Sequence, residues 1–281
     1  MTVSASRPVR VVGVSSGKGG AGKTNVCVNL GVALSRLGQR VTLLDADLGL
    51  ANVDVLLGLK PTHTLEHVLK GECTLADVLV ETAGGLRIVP AASGVHEMAA
   101  LGAQGQASII SAFSALSGTM DTLLVDTAAG ISTDVLGFLA ATQDILVVVC
   151  NEPTSITDGY ALIKVLNQTH GVDRFRVVVN MVGPGESGKA VYEKLNRVTE
   201  RFLDVCLDYC GAIPMDPQLR KAVSRQRAVV DVFPSSESAR AFDALARRVQ
   251  TWPLPSGPRG NLEFFLESLV GEGAVAGEQV G

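Results

Sequence analysis

The chain has 281 residues, 47% of them hydrophobic, which is ample for one substantial core, and a net charge of −4. That acidic balance argues against a broad basic footprint, so direct DNA binding is not expected. No apolar run reaches the ~18 residues of a membrane-spanning helix. No apolar segment accompanies Arg7 and Arg10 as a secretory leader requires, and a cytoplasmic location is expected.

Residues 1–8 are polar and read as a flexible N-terminus. Val9 to Val14 is an apolar run that predicts a buried strand. Gly17-Lys18-Gly19-Gly20-Ala21-Gly22-Lys23-Thr24 follows, a full match to the phosphate loop G-x-x-x-x-G-K-[ST]. Val26, Leu30, Ala33, Leu34 and Leu37 then repeat at helical spacing. Strand, loop and helix in that order are the context a chance match would lack. The glycines let successive backbone N–H groups turn inward on phosphate oxygens, and the helix N-terminus adds the positive end of its dipole. Lys23 is expected to reach the β- and γ-phosphates of a nucleoside triphosphate, with Thr24 on Mg²⁺ and Asn25 beside it.

Gly38 marks the stop of this helix, and Arg40 to Leu44 reads as a second strand ending in Asp45-Ala46-Asp47. Carboxylates at the carboxyl end of a parallel strand lie at the ligand edge of an open sheet. For Asp45 a strand-end cap and a place around Mg²⁺ are both open; Asp54 reads as structural. Residues 62–82 predict short helices with Thr64 as an N-cap. Leu86 to Pro90 predicts a strand, 91–106 a loop and 107–117 a helix. Thr122 to Asp126 is a buried strand ending in an acid, the Walker B pattern, with Asp126 expected to hold Mg²⁺ through water. Gly130 closes D-T-A-A-G as a second switch whose N–H can meet the γ-phosphate. Ile145 to Cys150 predicts a central strand, 156–168 a helix, and Arg176 to Val179 another strand. The five cysteines lack C-x-x-C spacing and read as reduced thiols, with Cys206 and Cys210 placed on a helix or its end. Arg220, Lys221, Arg225 and Arg227 form the densest basic cluster, read as a solvated helix face, with a partner-docking or DNA-contact patch as the alternative. The alternation of strands and helices predicts an α/β fold, a doubly wound, mostly parallel sheet with helices on both faces.

An ordinary phosphate loop has no need of Lys18. On the run Lys18 to Thr24 the chain resembles the deviant Walker A ATPases, the MinD/ParA family, in which K-G-G-x-G-K-T is the signature. The resemblance spans about Val9 to Val249. It implies a MinD-like P-loop NTPase fold, ATP/ADP and Mg²⁺ as cofactors, and an ATP-dependent homodimer in which Lys18 crosses to the partner's phosphates. Asp47 would orient the attacking water and stand near Mg²⁺ with Thr24 and Asp126, the aspartates through water. Asn52 belongs to the first switch. Glu152 would lie near the ribose across the dimer, and Asn180, Pro214 and Met215 at the adenine.

Within the family the FleN/FlhG branch, regulators of flagellar number, is the nearest likeness. It is carried by 43–59, 125–131, 151–164 and the terminal W-P-L-P and L-E-F-F. This implies a slow ATPase switch that restrains an AAA+ transcriptional activator of flagellar genes (FleQ-like). Flagellar relatives also act on a GTPase (FlhF-like) through an N-terminal D-Q-A-x-x-L-R element, which the first residues of this chain lack. A MinD-like division-site role and a ParA-like segregation role stay open as alternatives. Residues 251–260 read as a Pro/Gly linker and 271–281 as a disordered tail. Between them Leu262, Phe265, Leu266, Leu269 and Val270 fall on one stripe of an amphipathic helix, 261–270. Its polar face carries Glu263 and Glu267 and no lysine. Docking on its own domain, a partner groove, and peripheral contact with the inner membrane or cell pole are all open for it.

Overall fold

The computed structural model describes residues 8–91, 101–254, 257 and 262–266. The flexible N-terminus short of Pro8, residues 92–100 of the loop read as 91–106, most of the 251–260 linker beyond Leu254, residues 261 and 267–270 of the segment read as a helix, and the 271–281 tail lie outside the described residues.

Eight strands form one sheet: β1 (Arg10–Ser15), β2 (Val41–Ala46), β3 (Val80–Glu81), β4 (Arg87–Val89), β5 (Thr122–Thr127), β6 (Asp144–Val149), β7 (Arg174–Val182) and β8 (Cys206–Pro214). Their order is β3-β4-β2-β5-β1-β6-β7-β8, and every pairing is parallel except β3 with β4. β1 and β5 hold the middle, and β6 lies next to β1. Strands covered on both faces must be apolar throughout, and β1, β2 and β5 are buried at every position.

Side chains alternate between two faces with the period of two that a strand imposes. Val12, Val14, Leu146 and Val148 pack with helix α1 (Lys23–Arg36) and the helix Glu237–Gln250. Val11, Ile145, Val147 and Val149 point the other way, toward the helices Gly102–Ala112, Thr133–Ala140 and Pro153–His170. The doubly wound expectation therefore holds.

Four sequence readings need correction, the first being 62–82, read as short helices, whose end Val80–Glu81 is the strand β3. The helix read as 107–117 begins at Gly102 and ends at Ala112, passing into a 3₁₀ turn over Phe113–Thr119. Its small and polar first turn packs through Gln106, which donates to Asp134, and that masks the apolar signal. Cys206 and Cys210 lie on β8 rather than a helix, one exposed and one buried. β8 alternates less cleanly than its neighbours because its pairing with β7 is twice irregular. Lastly, the described part of 261–270 does not run as a helix over its first residues. Phe264 and Phe265 are consecutive, both buried, and sit in a turn before Leu266, while Leu262 is exposed. Phe264 packs edge-on against Phe113 at 5.5 Å between ring centroids. Aromatic burial against that ring sets the turn at Phe264 and Phe265.

Candidate active site

The carboxyl ends of β1, β2, β5, β6, β7 and β8 converge on one edge, and the loop Ser16–Gly22 crosses it into α1. Two glycines explain why the loop can lie there. A Cβ on Gly17 would fall 2.0 Å from the Asp158 backbone carbon of the helix Pro153–His170. Gly22 has φ +78°, and a Cβ there would meet Asn180 Nδ2 at 2.4 Å. The loop lines a cleft of about 450 Å³ with Ser16, Gly19, Gly20, Ala21, Gly22, Lys23, Thr24 and Asn25; Asp47, Asn52, Leu56 and Ala129 face it.

Lys23 Nζ donates to Asp126 Oδ1 at 2.7 Å, and both side chains are buried. Burial alone would lower the Lys23 pKa; the adjacent Asp126 carboxylate overrides it, and the net direction is up. Asp45 and Asp126 are register partners at the ends of β2 and β5. Burial, and then the Asp126 charge, push Asp45 up to about 7. Asp45 accepts backbone N–H groups of Asp47 at 3.2 Å and of Asn52 and Val53 at 3.1 Å. Asp45 thus acts as a cap on the Asp47–Val53 segment. Asp47 is half-buried in the cleft, its pKa raised by burial against the opposing pull of Lys23. Asn52 Nδ2 donates to Leu50 O at 2.5 Å. The Gly130 N–H is donated to Ser16 O at 2.9 Å, which ties the segment following β5 to the loop.

Lys18 points away from Lys23. Its Nζ donates to Glu152 at 2.6 Å and to Thr154 Oγ1 at 2.8 Å. The Glu152 hydrogen bond raises its pKa. Thr154 is not singled out in the sequence and is recognisable as a partner of Lys18 only from this contact.

A second cleft, about 400 Å³, adjoins the first and is lined by Asn180, Met181, Pro214, Met215, Leu219 and Arg220 among others. Asn180 Nδ2 donates to Ala21 O at 2.8 Å, which leaves its carbonyl oxygen as the acceptor a base amino group needs. Asp216 is a cap, accepting from Gln218 N at 2.8 Å and from Ser238. The basic cluster is not one patch: Arg220 lines the second cleft while Arg225 stacks on Phe233 at 5.2 Å.

The donor set suits a nucleoside triphosphate. Gly19 and Gly20 leave the loop backbone bare along the cleft, and Asn25 Oδ1 is buried without a partner where the two clefts meet. Thr24, Asp47 and Asp126 would hold Mg²⁺ together with phosphate. Among the described residues no group of three or more His, Cys, Asp or Glu forms a cage by itself, and Mg²⁺ commonly completes its shell with phosphate and water.

Fold and site together define a P-loop nucleotide-binding protein with a second lysine in its loop. The family described as "ParA: NUBPL iron-transfer P-loop NTPase" matches residues 8–250. The chain is 58% identical to the Antiactivator FleN of Pseudomonas aeruginosa over 94% of each chain. It is 32% identical to the flagellum site-determining protein YlxH of Helicobacter pylori, over 92% of this chain and 90% of that one. Among solved structures it resembles the septum site-determining protein MinD of Pyrococcus horikoshii, complexed with Mg-ADP, with TM-score 0.72 and 28% identity. That match covers 86% of this chain and 96% of that one. The chain belongs to the ParA/MinD family of P-loop NTPases. Among the described residues no helix is long and apolar enough to cross a membrane.

Proposed function

We propose that the chain is an Mg-ATP-dependent dimerising ATPase switch that limits flagellar number by restraining an AAA+ transcriptional activator of flagellar genes. The observation that carries the switch is the opposed setting of two lysines in one loop. Lys23 turns inward onto the buried Asp126, while Lys18 turns outward onto the exposed Glu152. An inward lysine serves the nucleotide of its own subunit. An outward one, held only by surface partners, is free to exchange them for the phosphates of a second copy's nucleotide. The flagellar role is supported by the 58% identity to a relative named an antiactivator.

In this reading the loop glycines and Lys23 bind the phosphates, and Thr24, Asp47 and Asp126 hold the cation, which neutralises phosphate charge when bound. Asp47 positions water, and Lys18 and Lys23 stabilise charge developing on the transferred phosphoryl group. Asn52 and Gly130, tied to Asp45 and to Ser16, report the state of the site to the surface. Turnover is slow because the loaded state must last.

Two experiments test the proposal. Light scattering should give a monomer without nucleotide and a dimer with Mg-ATP; a chain that stays monomeric with ATP sinks the switch. Deleting the gene in its native bacterium should raise the number of flagella per cell. Unchanged flagella with minicells or lost plasmids would move the chain to division or segregation and leave the nucleotide site intact.

A further inference from the structure

Met181 stands apart in β7. It is 40% exposed and has φ +56° in a strand whose other residues from Phe175 to Val182 are buried. The pairing with β8 shows why. Val179 pairs with Ala212 and Val182 with Pro214, so two residues of β7 oppose one of β8. That extra residue is a bulge, and a bulge re-aims a side chain out of the ladder. A left-handed conformation at a non-glycine residue is a strained state that the surrounding structure must impose, and such states cluster at ligand sites.

The side chain is aimed at the nucleotide edge. Met181 lines both the phosphate cleft and the second cleft, which share only Gly22 and Asn25 besides it. Its terminal methyl lies 3.1 Å from where a Cβ on Gly22 would stand. Met215, 49% exposed, lines the second cleft with Leu219 and Val223. A flexible, polarisable thioether at such a junction suits the face of an aromatic ring. On one side of Met181 lies the cleft lined by the loop glycines and Lys23, and the slot on its other side, lined by Pro214, Met215, Leu219 and Val223 among others, is largely apolar.

We infer that Met181 is a positioning and specificity-determining residue for the base of the bound nucleotide, packing its thioether on the purine and setting the angle at which base and phosphates span the two clefts. The inference rests on the nucleotide reading above and adds to it a side chain that acts on the base and not on the phosphates.

The test is calorimetric titration of the full chain with Mg-ATP and, separately, with inorganic tripolyphosphate. Met181→Ala is expected to weaken ATP about tenfold and to leave tripolyphosphate within about twofold. Met181→Leu should recover most of the ATP affinity. Met181→Gly relieves the positive φ, so it should raise Tm without nucleotide while still weakening ATP. Those opposite signs separate side chain from backbone, and the melting curves show whether each variant folds. Unchanged ATP affinity in folded Met181→Ala overturns the inference, as does an equal loss of ATP and tripolyphosphate, which would make Met181 a support of the loop. A wild-type chain that binds neither would overturn the nucleotide reading itself.

Discussion

Lys23 and Asp126 form a buried ion pair, Nζ to Oδ1 at 2.7 Å, at the point where a phosphate loop and a Walker B strand meet. The pair keeps the Asp126 charge compensated beside Asp45. Lys23→Ala should abolish every response to nucleotide. It also leaves two carboxylates adjacent at the ends of β2 and β5. Breaking a closed buried pair costs about 3–5 kcal/mol; here the cleft admits water, so about 2 kcal/mol is expected. Urea denaturation with and without Mg-ATP measures both. A variant that still shifts its midpoint with ATP would remove Lys23 from the phosphate site.

Lys18 and Asp47 should separate assembly from turnover. Lys18→Ala removes only surface contacts of this subunit, to Glu152 and Thr154. It is expected to bind Mg-ATP within about twofold of wild type while failing to dimerise, because what it removes acts across the interface. Asp47→Ala is expected to dimerise with ATP and to hydrolyse it at least about tenfold more slowly. Sedimentation velocity and phosphate release, run on the same samples, give the two readouts. If Lys18→Ala dimerises normally, the outward lysine is an ordinary surface residue.

Much of this site is legible in the sequence because its chemistry is local. Gly17 to Thr24 is contiguous, and Asp47 and Asp126 each end an apolar run, so pattern and position agree. What was hidden depends on contacts between distant segments. Cys206 and Cys210 gave a helical spacing, but they lie on an edge strand whose register slips against β7. A second irregularity in that pairing, between Val179 and Val182, creates the bulge that exposes Met181, which no local pattern marks. Thr154 matters only because Lys18 lies against it. Of the 261–270 stripe, only Leu262 to Leu266 lie among the described residues, and there the burial of Phe264 against Phe113 joins residues 151 positions apart, a tertiary contact that local periodicity does not mark.

The Asp45 carboxyl predicts a pH dependence. Its folded pKa, about 7, is raised above the ordinary 3.8 by burial first and by Asp126 second. Below about pH 4 both folded and unfolded forms are protonated, and the contribution is fully present. Between about pH 4 and 7 the unfolded chain loses this proton and the folded chain keeps it. Stability from this group therefore falls as pH rises, by at most about 1.4 kcal/mol per pH unit. Asp45→Asn keeps an oxygen for the Asn52 and Val53 N–H groups and cannot ionise. The difference in unfolding free energy between Asp45→Asn and wild type should grow with pH in that window and level off above it. A flat difference from pH 4 to 8 would mean that Asp45 is ionised throughout.

The C-terminal contact can be weighed by one aromatic ring. Phe264 is 1% exposed, packs on Phe113, and its N–H donates to Ala141 O at 3.3 Å. Truncating a buried phenylalanine removes its transfer free energy and leaves a cavity, about 3 kcal/mol together. Phe264→Ala should lower stability by that amount, whereas Leu262→Ala, at an exposed side chain, should stay within about 0.5 kcal/mol. The comparison is made by chemical denaturation of the full chain. Of the three fates open to this segment, a large effect of Phe264→Ala favours docking on its own domain, because a segment held by a partner or a membrane would not stabilise the isolated chain. Equal and negligible effects would mean that Phe264 leaves the core in solution and that the ring is available to another surface.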